Sequence, residues 1–315
     1  MSEILSPQEL LPTRPRIRPA TTPESLLKAF FAGRNPRTLR SYRQGLEDFK
    51  SFLQLSTVEE AAVELLSQDA AGANAMVLEY QAHLKERELA VATRNHRLSA
   101  IRSLVKLGRM LGVISWSLEV SPIKAQRYRD TRGPGKDGVQ AMLKELESRG
   151  DKKGLRDIAM VRLLFDLALR AFEVVGLDVK NVELKSGSLW VLGKGDNERT
   201  RITLAPKTQE AISGWLKVRG DHDGPLFYCL SPDAYGQRLT TTGLYLTVRK
   251  LGEKVGLRAR PHGLRHAAIT AALDATKGDV RTVQRFSRHK DVRVLCVYDD
   301  QRRDIAGEVS RLISI

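Results

Sequence analysis

Apolar residues recur every three or four positions through most of the chain, and in short alternating runs over one stretch between 182 and 204. The first spacing puts side chains on one face of an α-helix, the second on one face of a strand. Thr22-Pro23-Glu24 reads as a helix start, with Thr at the N-cap, Pro in the first helical position and an acid in the first turn. That helix carries Leu26, Leu27, Phe30 and Phe31 and stops near Gly33. A second starts at Asn35-Pro36 and aligns Leu39, Tyr42, Leu46, Phe49 and Leu53 on one face. A third is predicted over Ala75 to Glu88. A fourth begins at Ala92-Thr93, with Leu98, Ile101, Val105 and Leu111 inward and Arg94, Arg97, Arg102 and Arg109 projecting.

Between Ser121 and Gly138, Pro122, Gly133, Pro134, Gly135 and Gly138 interrupt any period, and this stretch reads as a linker. Helical spacing returns at Val139 and runs to Gly150. Leu155 to Leu169 is apolar enough to be a buried helix ending at Arg170, and Phe172 to Leu177 gives a short one. Val182–Leu184, Ser188–Leu192 and Arg201–Leu204 are short runs bounded by Lys185-Ser186-Gly187 and Gly193-Lys194-Gly195-Asp196-Asn197, the pattern of a small antiparallel sheet. A helix follows over Lys207–Val218, then a loop from Arg219 to Arg238, then helices to the end. The expected fold is mainly α, with a small antiparallel β-sheet in an α+β C-terminal domain over 139–315. It is preceded by a basic flexible arm over 1–20, a separate all-helical domain over 21–120 and a linker over 121–138.

Charge changes the picture from fold to partner. The 315 residues carry 52 Lys and Arg against 37 Asp and Glu, a net +15, spread along arginine-rich helices. A polyanion is the natural partner of such a surface, and nucleic acid the first choice. The arginines placed to contact DNA are Arg37, Arg40 and Arg43, Arg94 and Arg97, and Arg127 and Arg129 in the linker. Cys229 and Cys296 form no C-x-x-C pair, which removes a disulfide framework and a cysteine zinc site. No secretory leader or membrane span is expected, and the location read from this is cytoplasmic, at the nucleoid.

Arg170 can be read as a cation at a helix C-terminus, where it suits the dipole, or as an anion ligand. Lys194 stands between two glycines at a hairpin tip, which taken alone is an ordinary turn, and the chain lacks the P-loop pattern of a nucleotide triphosphatase. His262 and His266 are four apart, but Gly263 stands where a zinc hydrolase carries its Glu, and Arg265 between them suits an anion and not a cation. His289 and Tyr298 complete an order within one domain: Arg, Lys, His-x-x-Arg, His, Tyr.

That order resembles the catalytic domain of the tyrosine recombinases, the phage-integrase family, over residues 137–315. The match comprises Arg170 with Glu173 and Asp178 behind it, Lys194, His262-x-x-Arg265-His266, His289 and Tyr298. Residues 22–115 resemble the family's helical core-binding domain. Ala168 stands where the family usually has Gly, Ser287-Arg288 replaces a frequent Leu-Gly, and Cys296 sits where the family tends to be polar. The resemblance implies a site-specific recombinase that cleaves and rejoins DNA through a 3′-phosphotyrosine, with Tyr298 as nucleophile and Lys194 protonating the 5′-oxygen. Arg170 and Arg265 would fork onto the nonbridging oxygens, His262 would take or relay the proton, and His289 would bond a nonbridging oxygen. No metal and no cofactor is expected, because the enzyme–DNA bond conserves the phosphodiester energy. The implied partners are duplex DNA bearing an inverted repeat and a homotetramer, with a paralogous recombinase as a further partner. The tail with Val309, Leu312 and Ile313 docks either on its own domain or on a neighbour.

Three other readings compete. A type IB topoisomerase would use similar chemistry without a specific site. A DNA-binding protein on the same fold would not cut. A metallohydrolase using His262 and His266 would depend on a metal.

Overall fold

The computed structural model describes residues 23–32, 36–124, 133–193, 198–297, 310–311 and 314. The chain divides into two compact units, Met1–Tyr128 and Arg129–Ile315. The expected basic arm over 1–20 lies outside the described residues, as do 125–132 of the expected linker.

In the first unit five helices are described: α1 (Pro23–Phe31), α2 (Pro36–Phe52), α3 (Val58–Ser67), α4 (Ala70–Glu86) and α5 (Val91–Met110). Apolar periodicity alone predicts four. It passes over α3, which has only ten residues, yet α3 announces itself by its cap. The Glu60 N–H donates to Thr57 Oγ1 at 3.1 Å, and the Ser56 and Thr57 N–H groups donate to Glu60 Oε2 at 2.8 and 3.3 Å. This capping box satisfies amides that a helix start otherwise leaves open. Asp69 caps α4 through the Gly72 N–H at 2.7 Å, so that helix starts five residues before Ala75. Phe30, Phe49, Tyr80, Leu84, Leu98 and Ile101 bury themselves together as the core.

The arginines of α5 do not all project. Arg97 pairs with Asp48 at 3.4 Å and donates to the Gln44 carbonyl of α2, while Arg102 Nε donates to the Val120 carbonyl at 2.9 Å. Helix geometry places a side chain on a face but does not say whether a long stem folds back to find an acceptor.

In the second unit, α6 (Gly135–Arg149) begins four residues before Val139. Helix α7 (Lys152–Asp166) buries Met160, Val161, Leu163 and Leu164 and packs against α6, α9 (Pro206–Arg219) and α11 (Pro261–Ala275). The short α8 (Ala171–Val175) follows. The sheet is antiparallel in the order β1 (Val182–Glu183), β2 (Ser188–Leu192), β3 (Arg199–Thr203), with Leu189 opposite Ile202 and Leu192 opposite Arg199. Helices α10 (Thr241–Lys254) and α12 (Val280–Ser287) and a 3-10 segment, Val292–Val297, complete the unit. The segment before α6 passes so close to α11 that a Cβ on Gly133 would lie 1.8 Å from the Gly263 carbonyl oxygen. Among the described residues, no helix is long and apolar enough to cross a membrane.

Candidate active site

Two turns build the site. The first follows α7. There Ala168 adopts a left-handed conformation, φ 46°, that L-residues enter at a cost. The turn swings the chain from α7 into α8 and leaves Arg170 at the N-cap of α8. This corrects the reading of Arg170 as a cap at a helix C-terminus. A cation at an N-cap has the unfavourable sign for the helix dipole, so the helix itself does not explain the guanidinium. What holds it is Glu173, buried in α8. Arg170 Nη1 donates to Glu173 Oε1 at 2.8 Å, and the Arg170 backbone N–H donates to Oε2 at 2.8 Å. Asp178, the other acid noted behind Arg170, pairs instead with Arg238.

The second turn follows α12. Arg288 closes that helix in the left-handed region, φ 55°. Its neighbours then face the first turn. Arg265, in the second turn of α11, is 1% exposed. Its guanidinium donates to the Ala168 carbonyl and, at 2.6 Å, to the Ser287 carbonyl. Arg170 Nη2 donates to the next carbonyl, that of Arg288, at 3.4 Å. Consecutive carbonyls of one turn therefore each hold one of the two arginines. Without such acceptors a buried guanidinium would be prohibitive.

His289 lies against this pair. Its Nε2 is 3.3 Å from Arg265 Nη2, and its Nδ1 is 2.8 Å from Ser287 Oγ. Burial, reinforced by the positive charges of Arg265, Arg170, Arg288 and His262, pushes its pKa down to about 4. His262 is exposed in the first turn of α11, while His266 is buried and lies 3.5 Å from Thr270 Oγ1. The two histidines of the i, i+4 pair thus sit in different surroundings.

The structure brings together Arg170, Arg265 and His289, with His262 among the charges acting on His289. Lys194 and Tyr298 lie outside the described residues. The strand pairing that ends at Leu192 opposite Arg199 brackets the segment with Lys194, and Val292–Val297 immediately precedes Tyr298. Arg40 and Arg43 are exposed on α2, with Arg43 5.2 Å from the Phe31 ring centroid. Arg94 is half-buried and Arg97 is turned inward. Arg37 lies in α2, and Arg127 and Arg129 lie outside the described residues. The residue passed over by sequence reasoning is Arg288. Its side chain donates from Nη1 to the Leu167 carbonyl and from Nη2 to the Ala168 carbonyl and Glu173 Oε2, each at 3.2 Å. A non-glycine residue standing next to His289 at an expected glycine was the available signal.

Residues 135–304 match the model described as the phage integrase family. A tyrosine recombinase of Synechococcus elongatus is 40% identical over 282 residues, covering 87% of this chain and 88% of its own length. One of Synechocystis is 38% identical over 289 residues, covering 89% and 91%. Among solved structures, the XerH site-specific recombinase bound to palindromic difH substrate in its post-cleavage complex is similar in fold. Its TM-score is 0.65 at 18% identity, over 92% of this chain and 85% of that one.

Proposed function

The chain belongs to the phage integrase family, the tyrosine recombinases, enzymes of site-specific DNA recombination, and from that premise we propose how its residues divide the work. The substrate is duplex DNA carrying an inverted-repeat site. Tyr298 attacks the scissile phosphate, forming a 3′-phosphotyrosine and releasing a 5′-hydroxyl. A 5′-hydroxyl of a partner strand then attacks the phosphotyrosine, so the phosphodiester count is unchanged and no external energy source is needed.

A phosphodiester resists attack because it is anionic and its alkoxide leaves poorly. The observation that carries the proposal is the convergence of Arg170, Arg265 and His289 through the two turns. Two guanidiniums that cannot lose their protons supply fixed charge for the nonbridging oxygens, where negative charge grows in the transition state. Their geometry is set in advance by backbone carbonyls and Glu173. A phenol is mostly protonated at neutral pH and needs a proton acceptor to act as a nucleophile. The exposed His262 takes or relays that proton, and Lys194 returns one to the 5′-oxygen.

The all-helical first unit contributes phosphate contacts from the exposed Arg40 and Arg43 of α2 and from Arg37, Arg94 and Arg127, and Arg129 adds another. The active assembly is a tetramer holding two duplexes, working in the cytoplasm at the nucleoid.

The test needs no known target. Wild type and Tyr298→Phe are incubated with nicked duplexes containing a randomised segment, and covalent adducts are isolated under denaturing conditions and sequenced. Adducts from wild type alone, enriched for one inverted repeat, are the expected result. Adducts without enrichment point to a topoisomerase, and bound DNA without adducts points to a protein that does not cut.

A further inference from the structure

Arg288 occupies a place whose backbone asks for a different residue. Its φ of 55° and ψ of 42° are left-handed, a conformation glycine adopts freely and a long side chain does not. The side chain nevertheless folds back into the protein and is 18% exposed. Its guanidinium donates to the Leu167 and Phe286 carbonyls from Nη1, and to the Ala168 carbonyl and Glu173 Oε2 from Nη2, each at 3.2 Å. Nε is buried without a hydrogen-bond partner. A residue that takes a strained backbone and a half-satisfied burial is held there by what its terminal nitrogens join.

Those nitrogens join three parts of the site. Glu173, with a side chain wholly buried, accepts from Arg170 at Oε1 and from both the Arg170 backbone and Arg288 at Oε2. Arg170 Nη2 in turn reaches the Arg288 carbonyl at 3.4 Å. Arg170 and Arg288 are therefore linked twice, once through a shared carboxylate and once through the left-handed turn. The Arg170 backbone N–H and Arg288 hold Oε2 from two sides, and among the described residues Arg288 alone ties the carboxylate to the Ala168 turn. The carboxylate so held sets the line along which Arg170 Nη1 must lie.

We propose that Arg288 is a positioning residue, whose bridge from the Ala168 turn to Glu173 fixes the direction in which Arg170 presents its guanidinium to the scissile phosphate. This rests on the reading of Arg170 as a phosphate ligand. Arg288 itself points into the protein.

Arg288→Gly separates the two demands, since it suits the backbone and removes the bridge. Arg288→Asn does the same with a side chain that tolerates the left-handed region, in case glycine loosens the turn. The substrate is a nicked duplex carrying the enriched inverted repeat, and two quantities are read: the dissociation constant for DNA, and the single-turnover rate of covalent adduct formation at saturating DNA. Both variants are expected to bind DNA as wild type does and to form adduct about 10- to 100-fold more slowly, the scale of a misplaced catalytic group. Arg170→Lys/Arg288→Gly is expected to be no slower than Arg170→Lys alone, because Arg288 acts through Arg170. A wild-type rate in the single variants, or a further loss in the double variant, overturns the proposal. If Arg170→Lys itself cleaves at the wild-type rate, the reading of Arg170 fails first, and Arg288 has nothing to position.

Discussion

Arg265 Nη2 lies 3.3 Å from His289 Nε2, and this contact decides which imidazole nitrogen carries the proton. A guanidinium has donors only, so Nε2 must accept. Neutral His289 is then protonated at Nδ1, which donates to Ser287 Oγ at 2.8 Å. If His289 serves a nonbridging phosphate oxygen as proposed, the nitrogen facing Arg265 has to gain a proton when DNA binds.

Two pH effects follow from the same contact. With its pKa pushed from 6.5 to about 4 by burial and by Arg265, Arg170, Arg288 and His262, His289 is neutral in the free protein at pH 7. Below pH 6.5 the unfolded chain takes up a proton that the folded one refuses, so stability falls with pH from about 6.5 to about 4. His289→Asn should flatten that part of the curve in urea unfolding measured at several pH values. A bound phosphate raises the pKa, so DNA binding at pH 6 should draw in a proton. Calorimetry in buffers of different ionisation enthalpy measures this, and equal uptake by His289→Asn would assign the proton elsewhere.

Glu173 holds Arg170 and Arg288 with its side chain out of water. Removing one partner of such a cluster leaves buried charge uncompensated, which typically costs about 3–5 kcal/mol. Glu173→Gln keeps the volume and loses the charge. We expect it to destabilise the chain by about 3 kcal/mol in urea unfolding, near the lower end of that range because Arg170 retains some exposure.

Ala168 has φ 46° and a carbonyl gripped by Arg265 and Arg288. The arginines hold the turn against the preference of its own residue. Ala168→Gly relieves the left-handed strain, of order 1–2 kcal/mol, and the greater freedom of glycine in the unfolded chain offsets part of it. A net gain of about 0.5–1 kcal/mol is expected, seen as a melting temperature higher by about 1–3 °C. A lower melting temperature would show that the lost methyl group, buried in the same apolar cluster as Ile269 and Leu273, matters more.

Gly133 leaves no room for a side chain, since a Cβ would meet the Gly263 carbonyl at 1.8 Å. Backbone cannot yield as a flexible side chain does. Gly133→Ala should lift the segment before α6 off the start of α11 and cost about 1–3 kcal/mol, the usual penalty of overpacking. Hydrogen exchange at the α11 amides near His262 and Gly263 should quicken, whereas Gly214→Ala on α9, whose Cβ would meet only Leu155 at 3.9 Å, should leave them unchanged.

Much of the architecture is legible in the sequence because its signals are local. The stripe of α2 is a matter of 3.6-residue geometry, and the sheet follows from short alternating runs between turn residues. The residue types of the site can also be read in order, since Arg170, Arg265 and His289 stand at recognisable spacings. Helix α3 was equally legible in Thr57 and Glu60, a capping box that apolar periodicity does not weigh.

The tertiary structure alone decides the rest. Arg265 and Arg97 look alike in sequence, each an arginine on a helix, yet one is buried at the site and the other is tied to Asp48. The Arg288 side chain enters the site by contacts to Leu167, Ala168 and Glu173, more than a hundred residues away along the chain. Periodicity reports which face of an element is apolar. It carries no information about which carbonyl or carboxylate, brought from a distant turn, will face a given cation, and at this site those distant acceptors fix both charge and direction.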